Sequence, residues 1–144
     1  MRVYLDNCCY NRPFDDQTQL RVRLETEAKL AIQALMRTGV VEYVWSDMLV
    51  TEATDNPSQD NCDKVLSWRE RAAMYVAIDD DIKRRASEIM RLGVKTADAI
   101  HLACAESACC DWFFTVDKGI LKKTSSIGTM RVVNPMQFIQ ENEE

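Results

Sequence analysis

Apolar residues along this chain follow two kinds of spacing. Between residues 18 and 38 they recur every three or four positions, which predicts a helix that Gly39 ends. Short runs rich in β-branched and aromatic residues instead predict strands. These strands are expected at residues 2–6, 40–46, 112–116 and 131–133, with residues 75–78 as strand or loop. Further helices are expected at residues 48–53, 64–74 and 80–92, after a cap at Thr96 to about residue 108, and from Pro135 onward.

The order of these elements predicts the fold class. Strands that alternate with helices form βαβ units, whose strands lie parallel in one sheet. We therefore expect an α/β three-layer sandwich: a central, mostly parallel sheet of roughly 4–5 strands flanked by helices, as a single domain over residues 1–144. The polar segment 7–17 is expected to be a loop, with Asp15, Asp16 or Thr18 as candidates to cap the helix that follows.

Four acidic residues lie where such a fold would bring them to one edge of the sheet. Asp6 and Asp117 each follow a predicted strand, whereas Glu52 and Asp98 lie in predicted helices. Sites in open parallel sheets form beyond the carboxyl ends of the strands. Crowded carboxylates repel one another unless a positive charge lies between them, and hard cations such as Mg²⁺ and Mn²⁺ prefer oxygen ligands. The sequence therefore predicts a metal-dependent acidic site in which all four are catalytic residues and metal ligands.

Each acid also has a purely structural interpretation. Glu52 could be a solvated helix residue, and its nearby rivals for a site role are Glu42, Asp47 and Asp55. Asp98 falls in the first turn of its helix, where the helix dipole favours a carboxylate in any case. Asp6 and Asp117 could cap or turn the chain after a strand.

The remaining charged residues near these motifs carry weaker signals. His101 is one helical turn beyond Asp98, and we expect it to be a structural histidine with satisfied hydrogen bonds. Asp79, Asp80 and Asp81 precede a helix and are expected to cap it. Arg12 and Lys118 are candidates to hold phosphate oxygens.

Composition narrows the class of protein further. The 144 residues carry a net charge of −5, which excludes a broad basic face of the kind that coats nucleic acid. Six cysteines occur without a C-x-x-C pair and with one histidine, which favours reduced thiols over disulfides or structural zinc. No apolar run approaches the length of a membrane span, and an acid at position 6 arrives too early for a secretory signal, so we expect a cytoplasmic protein.

Three segments together resemble the PIN-domain ribonucleases: Tyr4 to Cys9, Thr96 to Ala103, and Phe113 to Lys118. The resemblance covers nearly the whole chain and implies an α/β fold with Mg²⁺- or Mn²⁺-dependent endoribonuclease activity. It implies that Asp6, Glu52, Asp98 and Asp117 are the four site acids, in that order. Many relatives follow the first acid with Ser or Thr, whereas this chain has Asn7, and either Asn7 or Asn11 is open to that role.

The resemblance also implies partners. RNA is the expected substrate, and the family includes both toxin halves of toxin–antitoxin pairs of the VapBC type and housekeeping RNA-processing nucleases. An antitoxin protein and a homodimer are therefore expected partners if the chain is of the toxin kind. The competing hypothesis is a catalytically inactive PIN-like interaction protein, although an idle acidic cluster would destabilise its own fold by like-charge repulsion.

Overall fold

The sheet of the computed structural model, which describes residues 1–142, has six strands in the order β3-β2-β1-β4-β6-β5. The strands are β1 (Arg2–Leu5), β2 (Glu42–Ser46), β3 (Met74–Val76), β4 (Trp112–Phe114), β5 (Ser126–Ile127) and β6 (Met130–Val133). All neighbouring pairs are parallel except β5 with β6, which is antiparallel. The predicted mostly parallel sheet is confirmed, with the two-residue β5 as an additional edge strand.

Eight α-helices connect and cover these strands within residues 1–142. They are α1 (Asn7–Asn11), α2 (Leu20–Arg37), α3 (Asp47–Thr54), α4 (Gln59–Leu66), α5 (Asp80–Met90), α6 (Thr96–Ser107), α7 (Lys118–Lys123) and α8 (Pro135–Asn142). Two short 3₁₀ segments, Arg12–Phe14 and Ser67–Arg71, follow α1 and α4. Helix α2 packs against α8, and α5 packs against α6.

The centre of the sheet is covered on both faces. Consecutive residues of a strand point to opposite faces, and Val3, Tyr4 and Leu5 of β1 are all fully buried. A parallel sheet needs this coverage on both sides, which the helices supply. The α/β class with flanking helices, predicted from the alternation of elements, is therefore confirmed, and none of the described helices is long and apolar enough to cross a membrane.

Two segments that were not predicted to be helical contain short helices. The segment 7–17 was expected to be irregular, but Asp6 caps α1 by accepting a hydrogen bond from the backbone nitrogen of Asn7. The expected caps of α2 are also wrong: Gln19 holds the cap position without a side-chain bond, while Asp16 accepts from Thr18. After β4, Asp117 caps the short helix α7 by accepting a 2.7 Å bond from Gly119. A capping side chain starts each of these helices. Both helices are too short for a repeating spacing of apolar residues to predict them.

The starts of other helices and the residues that cap them also differ from the prediction. The helix expected at residues 64–74 begins earlier, at Gln59, because Ser58 accepts a bond from the backbone of Asn61. Thr96 is the first residue of α6 rather than its cap, and Lys95 holds the cap position. The capping role expected of the aspartate triplet is confirmed at Asp79, whose Oδ1 accepts a 2.8 Å bond from Ile82.

Candidate active site

Asp6 lies at the carboxyl end of β1 and is almost fully buried, with 4% of its surface exposed. Its Oδ1 accepts a 2.8 Å hydrogen bond from the backbone of Asn7, and its Oδ2 accepts a 2.9 Å bond from the hydroxyl of Thr115. The thiol of Cys8 donates a 3.4 Å bond to the same Oδ2. These donors fix the carboxylate and offset its loss of water on burial.

His101 lies between two of the candidate acids. The ring is fully buried on α6, its Nε2 is hydrogen-bonded to Glu52, and the same nitrogen lies 3.7 Å from Oδ1 of Asp6. Burial opposes the charged imidazolium, but the bond to Glu52 and the carboxylate of Asp6 raise the pKa of His101 above its ordinary value. Both ring nitrogens have partners, as expected of a structural histidine, and one of these partners is a candidate site acid.

The surroundings of Asp98 perturb its titration. It is half-buried in the first turn of α6. Burial raises its pKa to about 6, and the neighbouring carboxylates of Asp6, Asp117 and Glu52 add to the effect, while His101 opposes it. All four predicted acids therefore share one electrostatic neighbourhood, although they come from four different elements.

Two cavities open at this edge of the sheet. One of about 150 Å³ is lined by Asp98 and Asp117 together with Lys95 and Lys123. The other, of about 380 Å³, is lined by Glu52 and by eight further residues from the α1 region and the α3–α4 region. Six of these eight residues are polar. Three of the four acids thus line these cavities: Asp98 and Asp117 line a small carboxylate–lysine crevice, and Glu52 lines a wider polar depression.

The wider depression also contains the two asparagines whose role the sequence left open. Asn11 donates a 3.2 Å bond to the backbone oxygen of Asn7 and accepts one of 3.2 Å from Asn56. The side-chain oxygen of Asn7 is buried and has no hydrogen-bond partner within residues 1–142. A buried amide oxygen without a partner is an unusual feature that a ligand or water can satisfy.

The rivals of Glu52 are engaged elsewhere or exposed. Asp47 accepts bonds from Tyr75 and from the backbone of Ile78, which lower its pKa. Glu42 forms an exposed ion pair of 3.1 Å with Arg2. Asp55 holds the cap position at the carboxyl end of α3 and is exposed, and it lines the same wider depression as Glu52.

The two candidate phosphate-binding residues, Arg12 and Lys118, differ in their surroundings. Arg12 is bonded to Glu25 through Nη2 at 2.7 Å and to Asp15 at 3.0 Å, so its guanidinium already pairs with two carboxylates, and its contact with phosphate stays a prediction. Lys118 is exposed as the first residue of α7, directly after Asp117.

The donor set fits a hard cation by its chemistry, because it consists of carboxylate oxygens with a net excess of negative charge. Within residues 1–142, the ion pairs of these acids involve His101 and no Lys or Arg. Over the same residues, no three His, Cys, Asp or Glu side chains come together closely enough to hold a metal ion by themselves. An ion such as Mg²⁺, which keeps several of its own waters, would need fewer direct ligands from these acids than a fully protein-bound ion.

The fold and the carboxylate-rich edge of its parallel sheet define an α/β protein with an acidic site. The chain belongs to the PIN domain family, whose sequence model matches residues 20–125. That family comprises nucleases, and the matched segment contains Glu52, Asp98 and Asp117, while Asp6 precedes it.

Solved structures share the fold. FitAcB from Neisseria gonorrhoeae superimposes with a TM-score of 0.60 at 16% identity, over 92% of this chain and 97% of that one. VapBC2 from Rickettsia felis, bound to a DNA fragment from its promoter, gives a TM-score of 0.60 at 11% identity, over 93% and 98% of the two chains. A comparison with curated proteins gave no match. At these identities the likeness establishes the architecture.

Proposed function

We propose that this protein is a divalent-metal-dependent endoribonuclease that hydrolyses RNA phosphodiester bonds. The observation that carries the proposal is the grouping of carboxylates from separate elements: Asp98 and Asp117 line one crevice, and Asp6 and Glu52 both face Nε2 of His101. Burial, together with these neighbouring carboxylates, raises the pKa of Asp98 to about 6. Perturbed carboxylates in a crevice are a common property of catalytic sites. Membership of the PIN domain family supports nuclease chemistry at these residues.

The four acids would have different roles in binding metal and orienting water. Asp6, Asp98 and Asp117 would hold Mg²⁺ or Mn²⁺ directly or through water, and Glu52 would hold a second ion or orient the water that attacks the phosphate. When bound, such an ion lowers the pKa of water and neutralises charge on the phosphate. Asp6 is already oriented by Thr115, and Glu52 by His101, so neither needs to reorganise when substrate arrives.

The substrate would be held by cations beside the smaller crevice. Lys95 and Lys123 line it together with Asp98 and Asp117, and both lysines are exposed. Neither forms an ion pair with a carboxylate in the described part of the chain. A phosphate group attracts such lysines as point charges, so a short stretch of RNA backbone fits even though the whole chain is acidic.

A toxin role with an antitoxin partner is the more specific form of the proposal. The shared fold with VapBC2 and FitAcB supports it. Homodimerisation is part of the same proposal. Expression of the chain alone should then arrest bacterial growth, and Asp98→Asn should abolish the arrest. Normal growth with an active nuclease would remove the toxin role and leave the ribonuclease proposal intact.

The test is cleavage of a mixed single-stranded and structured RNA pool with Mn²⁺, comparing wild type, Asp98→Asn and Asp80→Asn. Asp80 is an exposed first-turn acid of α5 and therefore a matched control for the first-turn acid of α6. We expect cutting by wild type and Asp80→Asn alone, and loss of cutting on chelation. A folded wild type that neither cuts RNA nor shifts its melting temperature with Mn²⁺ would favour the catalytically inactive alternative.

A further inference from the structure

Four side chains form a continuous line of hydrogen bonds through the interior next to the acidic site. The hydroxyl oxygens of Ser46 and Tyr4 are 2.7 Å apart, and the Tyr4 oxygen lies 2.6 Å from Nδ1 of His101. The opposite ring nitrogen, Nε2, is bonded to the Glu52 carboxylate. Ser46, Tyr4 and His101 are each fully buried, so water does not compete for these bonds.

The line fixes the orientation of the imidazole. A carboxylate only accepts hydrogen bonds, so Nε2 of His101 carries a proton and donates to Glu52 whether the ring is neutral or charged. The other nitrogen is bonded to Tyr4, whose ring stacks on Phe113 at 5.3 Å between centroids. The Tyr4 and His101 rings meet edge to face at 5.6 Å. Since both nitrogens have partners and the ring is enclosed, a single orientation is favoured.

Both ends of this line of hydrogen bonds lie at or within helix α3. Ser46 precedes α3 and accepts a 3.2 Å bond from the backbone nitrogen of Leu49, which caps that helix. Helix α3 carries Glu52, the residue at the far end of the line. The hydroxyl that starts α3 is therefore connected, through Tyr4 of β1 and His101 of α6, to the carboxylate that α3 presents.

We propose that His101 is a positioning residue that holds the Glu52 carboxylate beside Asp6, and that Tyr4 and Ser46 act through it. This inference rests on the proposed function, because its consequence is the relative placement of two site acids from β1 and α3. Groups that orient metal-site ligands through hydrogen bonds usually change metal affinity or activity about 10–100-fold when removed. The histidine itself touches neither substrate nor the reacting atoms in this assignment.

The geometry can be tested without any activity, because His101 is the single histidine of the chain. Nuclear magnetic resonance of protein labelled with ¹⁵N-histidine reports both ring nitrogens unambiguously. We expect a protonated, slowly exchanging Nε2 whose shift changes in Glu52→Gln, and an Nδ1 shift that changes in Tyr4→Phe. Ring nitrogens that respond to neither substitution would overturn the proposal, whatever the protein is found to cleave.

The functional consequence is tested with Mn²⁺ alone and with RNA. We expect His101→Gln to weaken Mn²⁺ binding in calorimetry and to lower kcat about 10–100-fold, with the KM for RNA nearly unchanged. Tyr4→Phe should act in the same direction and have no further effect in the His101→Gln background, as expected if it works through the histidine. Tyr10→Phe is the matched control, because that buried hydroxyl has no hydrogen-bond partner within residues 1–142.

The outcomes separate the two proposals. Wild-type values of Mn²⁺ affinity and kcat in a folded His101→Gln protein would overturn the positioning role while the ribonuclease stands. A wild type that neither binds Mn²⁺ nor cleaves RNA would overturn the proposed function, and with it the role of His101 in positioning site acids, even where the resonance data verify the bonds. Additive effects of Tyr4→Phe and His101→Gln would show that Tyr4 does not act through His101.

Discussion

The hydroxyl of Thr115 donates a 2.9 Å hydrogen bond to Oδ2 of Asp6. Thr115 directly follows β4 and Asp6 directly follows β1, and these strands are parallel neighbours in the sheet. The same hydroxyl accepts a 3.1 Å bond from the backbone nitrogen of Asp117. One fully buried side chain therefore connects two of the four candidate site acids.

Thr115→Val should lower both activity and stability. The substitution keeps the shape of the side chain but leaves the buried Asp6 carboxylate with one donor fewer, which should cost about 1–3 kcal/mol in the free energy of unfolding. We expect kcat for RNA cleavage to fall about tenfold or more, because Asp6 loses a fixed orientation. Urea unfolding and steady-state kinetics check the two values. Thr115→Ser keeps the hydroxyl, so it should retain most of the wild-type kcat and most of the wild-type free energy of unfolding. Full activity in the valine variant would contradict the prediction.

Asp98→Asn should make the metal-free protein more stable while abolishing cleavage. The carboxylate is crowded by other acids, so in chelator at pH 7 its neutralisation should raise the free energy of unfolding by about 1 kcal/mol, a modest gain because water screens a half-exposed group. Added Mn²⁺ should raise the melting temperature of wild type by mass action and should do so much less in the variant. Equal Mn²⁺ shifts in both proteins would show that Asp98 is not part of the ion site.

Much of this site follows from a few local patterns. The apolar runs that end at Asp6 and Asp117 predict buried parallel strands, and parallel strands bring their carboxyl ends to one edge. Asp98 is predicted as a site residue from its position in the first turn of a helix and from the motif Thr96 to Ala103. These inferences need only short segments of sequence and a general rule of sheet geometry.

The role of His101 depends on information that local patterns lack. Its partner Glu52 is 49 positions away and its partner Tyr4 is 97 positions away, so the contacts exist only once β1 and β2 are in register and α3 and α6 are docked. The ion pair of Arg12 with Glu25 is missed for the same reason. The helix α1 is missed because five residues are too few to show a period, and its start depends on a cap made by Asp6.

Arg12→Ala should lower stability. Glu25 is fully buried and receives two bonds from Arg12, through Nε at 3.1 Å and Nη2 at 2.7 Å, with Arg21 as a more exposed third contact. Arg21 and the side-chain amide of Asn134 still bond the other oxygen of this carboxylate, so we expect a loss of about 1–3 kcal/mol in the free energy of unfolding. Arg23→Ala, an exposed arginine on α2, should change the free energy of unfolding little. A raised KM for RNA in folded Arg12→Ala would in addition indicate a phosphate contact.

Lys95→Ala and Lys123→Ala should weaken RNA binding and its dependence on salt. Each lysine lines the crevice with Asp98 and Asp117, so each is expected to contact a phosphate of the bound strand. Loss of one such contact should reduce the slope of log affinity against log salt concentration by about 0.7 for a single strand. Fluorescence anisotropy at several salt concentrations, with cleavage blocked by Asp98→Asn, measures the slope. Lys83→Ala, on the exposed face of α5, is the control, and an equal change there would indicate a general charge effect.

Lys29 should make stability rise with pH in a window where most lysines have no effect. Burial lowers its pKa from 10.5 to about 8, and its Nζ lies 5.9 Å from the centroid of the Tyr10 ring. Below pH 8 both the folded and unfolded states carry the charge, so the folded state bears the full penalty of about 3 kcal/mol. Between pH 8 and 10.5 the unfolded chain binds more protons, and the penalty disappears as pH rises. Lys29→Met should therefore exceed wild type in urea stability at pH 7 and lose this advantage towards pH 10, while a difference that stays constant across the window would show that Lys29 does not titrate there.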